Sequence, residues 1–302
     1  MIEFDAVTKR YALRAVPALD ALSLEIPDGQ TFGLIGPNGA GKTTAIRIAV
    51  GVMLPTDGMV RVDGEDLSQN KHRVSAKIGW VSDGDIFDPR ARATSVLRYL
   101  DGFYPGHRRM TLEKAEQRLE EVGLGKWSSK RVGTYSYGMK RRFALAAASV
   151  GDPSTYLLDE PYEGLDPGGQ QFLRDWLAVR AKAGLTLIIA THRLGEVQKI
   201  ADKVAILNLG KLVRIVDRSE FADQKVVTVR VGGPNLDEGA VELLRVVGDV
   251  TRNEGDLLVT GPAIDPSQIA ELLFTHGYRV SQLTPEKKTL ENVYGESFGT
   301  HS

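Results

Sequence analysis

Up to about residue 219, short apolar runs alternate with longer stretches of helical period. Residues 31–35, 77–81, 155–158, 185–190 and 203–207 predict strands, and 42–53, 112–122, 139–150, 169–182 and 195–201 predict helices. Several of these strands are apolar without alternation, as expected where both faces of a sheet are covered. Strands interleaved with helices imply a mostly parallel sheet. Four flanking segments, 2–7, 21–26, 59–62 and 211–216, alternate apolar with polar and suit an antiparallel layer beside that core.

The tail has a different rhythm. Residues 226–231 predict a strand and 238–246 a helix. Residues 250–252 and 257–260 predict a hairpin around Asn253-Glu254-Gly255-Asp256, followed by a helix at 267–276 and a strand at 279–283. That order, βαββαβ, is the split-βαβ, ferredoxin-like pattern. Charge changes at the same place: residues 220–302 carry 7 basic and 13 acidic side chains, whereas residues 1–219 carry 31 and 26. The expected division is therefore a domain at 1–219 and a small α+β domain at 220–302, within the length range of two domains.

Composition narrows the function classes. Lys plus Arg is 38 and Asp plus Glu 39, for a net charge of −1 over 302 residues, which is not the basic excess of a dedicated nucleic-acid binder. With 42% hydrophobic and 25% charged residues the chain is not disordered, and with no cysteine it has neither disulfides nor a thiolate metal site or nucleophile. No apolar run approaches the ~18 residues of a membrane span; the longest lie at 143–151 and 185–190. The start, Met1-Ile2-Glu3-Phe4-Asp5, has no basic flank or apolar core. A cytoplasmic protein is expected, reaching a membrane only through a partner.

Chemistry concentrates in two motifs. Gly36-Pro37-Asn38-Gly39-Ala40-Gly41-Lys42-Thr43 fits G-x-x-x-x-G-K-[ST] between a predicted strand and a predicted helix. Glycines let successive backbone N–H groups face one centre, the helix N-terminus adds positive potential, Lys42 reaches β and γ phosphates, and the Thr43 hydroxyl can bind Mg²⁺. Thr155-Tyr156-Leu157-Leu158-Asp159-Glu160 is a strand ending in two carboxylates. Asp159 suits a Mg²⁺ partner and Glu160 a base that polarises water. Together these are Walker A and Walker B elements.

Tyr135-Ser136-Tyr137-Gly138-Met139-Lys140-Arg141-Arg142 opens a helix and ends 17 residues before Asp159. Here the chain resembles the ATP-binding cassette (ABC) family, whose signature is usually Leu-Ser-Gly-Gly-Gln. Ser136 and Gly138 match, while Tyr135, Tyr137 and Met139 depart; the Tyr-Ser-x-Gly-Met form is similar to that of bacterial export-type cassettes. Glu163-Gly164-Leu165-Asp166-Pro167 resembles the D-loop, and Thr191-His192 the switch histidine that contacts the γ-phosphate. Tyr11 matches the aromatic that stacks on adenine, and the resemblance extends the nucleotide contacts to Thr44. Where the family usually has a metal-contacting glutamine, this chain has Asp83, whose carboxylate could bind Mg²⁺ instead. The resemblance covers residues 2–216; the tail, with Thr289-Leu290-Glu291-Asn292-Val293-Tyr294, is similar to the small C-terminal domain of some export-type cassettes.

This resemblance implies a P-loop NTPase core: an α/β fold with a mostly parallel sheet, an antiparallel β layer and a helical subdomain. It implies ATP and Mg²⁺ as ligands, with Lys42, Glu160 and His192 catalytic and Thr43, Asp159 and Asp83 around the metal. It further implies a head-to-tail dimer, with itself or a paralogous cassette, in which Ser136 caps the nucleotide of the other copy. Such a dimer would sit on the inner face of the cell membrane and energise export through a separate integral membrane permease docking near residues 83–104. The rival readings are a soluble ABC-type ATPase and a nucleotide-sensing regulatory cassette. Against the first, only 92 residues without sustained heptads separate Thr43 from Ser136, and the chain has one cassette. Against the second, Lys42, Asp159, Glu160 and His192 are all retained.

Overall fold

The computed structural model describes residues 1–302 except 13–14, 85–86, 105–108, 222–225, 254, 263, 287–288 and 299–302. In chain order the elements are β1 (Ile2–Lys9), β2 (Leu19–Ile26), β3 (Thr31–Ile35), α1 (Lys42–Ala49), β4 (Asp57–Val62), β5 (Glu65–Asp66), α2 (Lys71–Ser75), β6 (Ile78–Val81), α3 (Ala93–Asp101), α4 (Leu112–Glu121), α5 (Tyr137–Ala148), β7 (Thr155–Asp159), α6 (Pro167–Lys182), β8 (Thr186–Thr191), α7 (Leu194–Ile200), β9 (Lys203–Asn208) and β10 (Lys211–Asp217). They are followed by α8 (Arg218–Phe221), β11 (Val226–Gly232), α9 (Glu238–Leu244), β12 (Asp249–Asn253), β13 (Asp256–Pro262), α10 (Pro266–Thr275), β14 (Gln282–Glu286) and α11 (Leu290–Ser297).

The chain divides into two compact units, Met1–Val216 and Asp217–Ser302. The sequence reading puts the boundary at 219; residues 217–221 fall in the second unit because α8 packs on α11 and buries Phe221.

The first unit is built on a six-stranded sheet in the order β10-β9-β3-β8-β7-β6. Its β3–β8, β3–β9, β7–β8 and β6–β7 pairs are parallel. The unbroken apolar runs follow from burial on both faces. Along β7 and β8, Leu157, Ile188 and Ala190 join the core under the antiparallel layer and α1. Their neighbours Tyr156, Leu158, Leu187 and Ile189 join a second core formed with α3, α4, α5 and α6. The antiparallel layer has the order β2-β1-β4-β5.

One flanking segment goes elsewhere than expected. Residues 211–217 leave the antiparallel layer and form the edge of the six-stranded sheet beside β9. Leu209 (φ 45°) and Gly210 (φ 81°) make the two-residue turn that returns β10 on β9. The predicted first helix also stops early, at Ala49, where the chain turns through Gly51 at φ 74°. The 139–150 helix starts two residues sooner, because the Ser136 hydroxyl caps it by accepting from Met139 N–H.

The second unit has a four-stranded sheet, β12-β13-β11-β14, with β11 antiparallel to both β13 and β14 and β12 antiparallel to β13. Val229, Val231, Leu257 and Val259 face Leu244, Ile269 and Leu273 of α9 and α10. The βαββαβ order is as predicted, with the last strand three residues later than expected. Among the described residues, no helix is long and apolar enough to cross a membrane.

Candidate functional site

The site forms beyond the C-terminal ends of β3, β7 and β8, where open α/β sheets place their ligands. Strand register brings these ends together: Ile35 pairs with Thr191, and Ala190 with Asp159. Everything catalytic in the sequence reading follows within two residues of these pairs, except Lys42 and Thr43, which open α1.

Residues 36–43 curl tightly against neighbouring backbone. A Cβ on Gly36 would stand 2.2 Å from the Leu207 carbonyl oxygen, and one on Gly41 2.6 Å from that of Ala18. Gly41 has φ 106° and Gly39 φ 83°, conformations that favour glycine. Pro37, Asn38 and Gly39 form an exposed crest, while Ala40, Gly41 and Lys42 are buried. No side chain caps α1, so its first-turn N–H groups are left for an anion.

Lys42 is 5% exposed, and its ammonium donates to Gly36 O (2.8 Å) and Pro37 O (3.1 Å). Burial pushes its pKa down, opposed by the negative charges of Glu160 and Asp159. The Thr43 hydroxyl donates to Asp159 Oδ1 at 3.1 Å. Asp159 is 1% exposed, and burial lifts its carboxyl to about 6; the Thr43 bond pulls the other way and the charges of Asp83 and Glu160 add to the rise. A convergent hydroxyl and buried carboxylate form a hard-oxygen pair suited to Mg²⁺, whose charge would favour the ionised carboxylate.

Glu160 sits at φ 45°, out of the strand conformation, with its N–H donating to Ala190 O at 2.8 Å. Thr191 Oγ1 donates to its Oε2 at 2.7 Å, and His192 Nδ1 lies 3.0 Å from Oε1. The same Oε1 is 3.8 Å from Lys42 Nζ. The carboxylate therefore faces the space that the phosphate loop encloses. Tyr11 stands beside α1, its hydroxyl 3.5 Å from Thr44 Oγ1 and donating to Met53 Sδ at 3.3 Å.

The structure does not bring Ser136, Gly138 or Asp166 into this group, and Asp83 reaches it only through its charge on Asp159. Ser136 is exposed and forms no hydrogen bond with the phosphate loop. A Cβ on Gly138 would meet nothing within 4 Å. Asp166 caps α6 by accepting from Gly169 N–H at 2.7 Å. Asp83 is exposed and pairs with Arg141 at 3.4 Å.

Sequence reasoning missed two contributions. The sequence points to His192 but not to Thr191 beside it, although a hydroxyl at the last position of a buried strand is a signal for it. Tyr137 replaces the usual signature glycine, and its hydroxyl donates to Glu163 O (3.1 Å) while accepting from Arg141 Nε (3.1 Å). No local pattern announces that link.

Residues 19–163 match the ABC transporter family. The chain is 30% identical to the bacitracin transport ATP-binding protein BcrA of Enterococcus faecalis, over 99% of this chain and 96% of the relative. It is 32% identical to the Nod factor export ATP-binding protein I of Paraburkholderia xenovorans, over 76% of this chain and 74% of the relative. In fold it is similar to a bacterial ABC transporter cassette solved as a dimer, with TM-score 0.66 and 24% identity over 72% of this chain and 99% of that one. A phosphate loop facing a carboxylate–histidine pair, on a chain that matches the bacitracin transport relative nearly end to end, has one reading: this protein belongs to the ABC transporter family as an ATP-binding subunit, an ATPase.

Proposed function

We propose that the chain energises export through a separate integral membrane permease, as a peripheral subunit on the inner face of the cell membrane. The names of its relatives speak of bacitracin transport and Nod factor export, and the second supports the direction. The proposed working unit is a head-to-tail dimer, of two copies or with a paralogous cassette, closing on two ATP molecules. The exposed N-terminus of α5 at Ser136 supports this: the Ser136 hydroxyl caps its own helix and makes no bond to this chain's phosphate loop, so this face suits a nucleotide held by another copy. ATP favours the closed dimer because it binds that form better, and hydrolysis releases it.

The observation that carries the chemistry is the Glu160 carboxylate, held between Thr191 and His192 and 3.8 Å from the Lys42 ammonium. In this reading Lys42 leaves its carbonyl partners for the β and γ phosphates, and the α1 N–H groups take the remaining oxygens. Glu160 takes the proton of the attacking water, and His192 donates to the γ-phosphate. Tyr11 stacks on adenine. Thr43 and Asp159 would hold Mg²⁺, which would supply charge neutralisation to the phosphates when bound. Asp83 stands close enough for its charge to act on Asp159, which supports a place beside that metal.

The test is Glu160→Gln. The variant should bind ATP like the parent, lose turnover by ~10²-fold or more, and elute as a dimer with MgATP. Full hydrolysis would remove Glu160 as base. A chain that stays single under these conditions and never co-purifies with a membrane protein would favour the soluble or sensor readings instead.

A further inference from the structure

Resting on the reading of Glu160 as the base, we infer that Thr191 is a positioning residue for hydrolysis: its hydroxyl selects which Glu160 oxygen faces the nucleotide. Three consecutive residues hold this one glutamate. Ala190 O fixes its backbone N–H, Thr191 Oγ1 holds Oε2 at 2.7 Å, and His192 Nδ1 lies 3.0 Å from Oε1.

The direction of the Thr191 bond is determined by its second partner. Arg193 N–H, which can only donate, points at the same Oγ1 from 3.1 Å. The single hydroxyl proton is therefore committed to Glu160 Oε2. Thr191 is 0% exposed, pairs with Ile35 in the sheet, and is β-branched, so its χ1 is stiff. His192, by contrast, has a side chain 44% exposed, and both His192 and Lys42 have other work once a γ-phosphate arrives. Thr191 has no such competing partner. It keeps Oε2 turned toward β8 and leaves Oε1, the oxygen on the Lys42 side, to take the proton from water. Glu160 at φ 45° has left the strand, so its side chain direction depends on such tethers rather than on the sheet.

Thr191→Val keeps the shape and deletes the donor. Measured on the full chain with MgATP, it should lower kcat about tenfold, since small misplacements of a catalytic group are costly. The KM for ATP should stay within about twofold, because Thr191 touches no nucleotide. Thr191→Ser should restore kcat to within about threefold of the parent, and Thr191→Ala gives the same comparison should the valine variant not fold. In a Glu160→Gln background, Thr191→Val should have no further effect, because its action passes through that carboxylate. Parental kcat in Thr191→Val, equal losses in the serine and valine variants, or a loss confined to KM would each overturn the proposal. If Glu160→Gln hydrolyses ATP at the parental rate, the base reading fails. If Glu160→Gln is inactive while Thr191→Val is unimpaired, only the positioning role fails.

Discussion

Arg141 holds Asp83: one guanidinium nitrogen lies 3.4 Å from the carboxylate, while another donates to the Ser82 carbonyl at 2.7 Å. Arg141 is 8% exposed and Asp83 54%. The buried bond to the backbone therefore carries more of the link than the ion pair, whose charges water screens. Through Tyr137, the same arginine also connects to the Glu163 carbonyl. The signature helix is thus tied to the segments that follow β6 and β7.

Arg141→Met should destabilise the chain by about 1–3 kcal/mol, because the buried Ser82 carbonyl loses its donor. Asp83→Asn should change stability by less than about 1 kcal/mol. Urea unfolding of the two variants checks the order; equal losses would mean that the ion pair, not the backbone bond, is the stronger part.

The raised Asp159 carboxyl makes stability depend on pH. Burial moves it from 3.8 to about 6, so between these values the folded state keeps a proton that the unfolded chain releases. Stability from this group is present at low pH and falls as pH rises through that window, by at most about 3 kcal/mol. In nucleotide-free protein, Asp159→Asn should be more stable than the parent at pH 8, with the gap closing toward pH 4. Urea unfolding at both pH values measures it; a gap constant with pH would contradict the assignment.

Gly41 and Gly39 differ in a way that mutation can separate. Both have positive φ, but a Cβ at 41 collides with the Ala18 carbonyl, whereas one at 39 meets nothing within 4 Å. Gly39→Ala should cost only the conformational strain of about 1–2 kcal/mol. Gly41→Ala should cost more and deform the phosphate loop, lowering ATP affinity well beyond the Gly39 variant. Thermal unfolding and titration calorimetry report both effects.

Gly138 tests the dimer. It lies in the first turn of α5 with open space around it, so alanine should leave the melting temperature unchanged or raise it, as helix propensity predicts. If Gly138 approaches the nucleotide of a second copy, Gly138→Ala nevertheless lowers turnover at saturating ATP. Unimpaired turnover would argue against a close approach there.

The parts of the site that depend on neighbours in sequence were legible at once. The phosphate loop, the Asp159-Glu160 pair and Thr191-His192 each sit where an apolar run ends, and runs buried on both faces are hard to mistake. Alternation along 211–216 announced a half-exposed strand but not its neighbour, and the segment joined the larger sheet. The 93–101 helix is not legible from periodicity, because polar Thr94 and Asp101 occupy its buried face.

By itself, the order of residues determined the local machinery: which backbone turns can cradle phosphate, where carboxylates end strands, which helices can be capped. Those features need only contacts a few residues apart, and side-chain type dictates them. Only the folded chain decided that Thr191 grips Glu160 across 31 residues and that Arg141 reaches Asp83 across 58. Such contacts depend on strand register and on the space left between packed layers, and no stretch of sequence contains either.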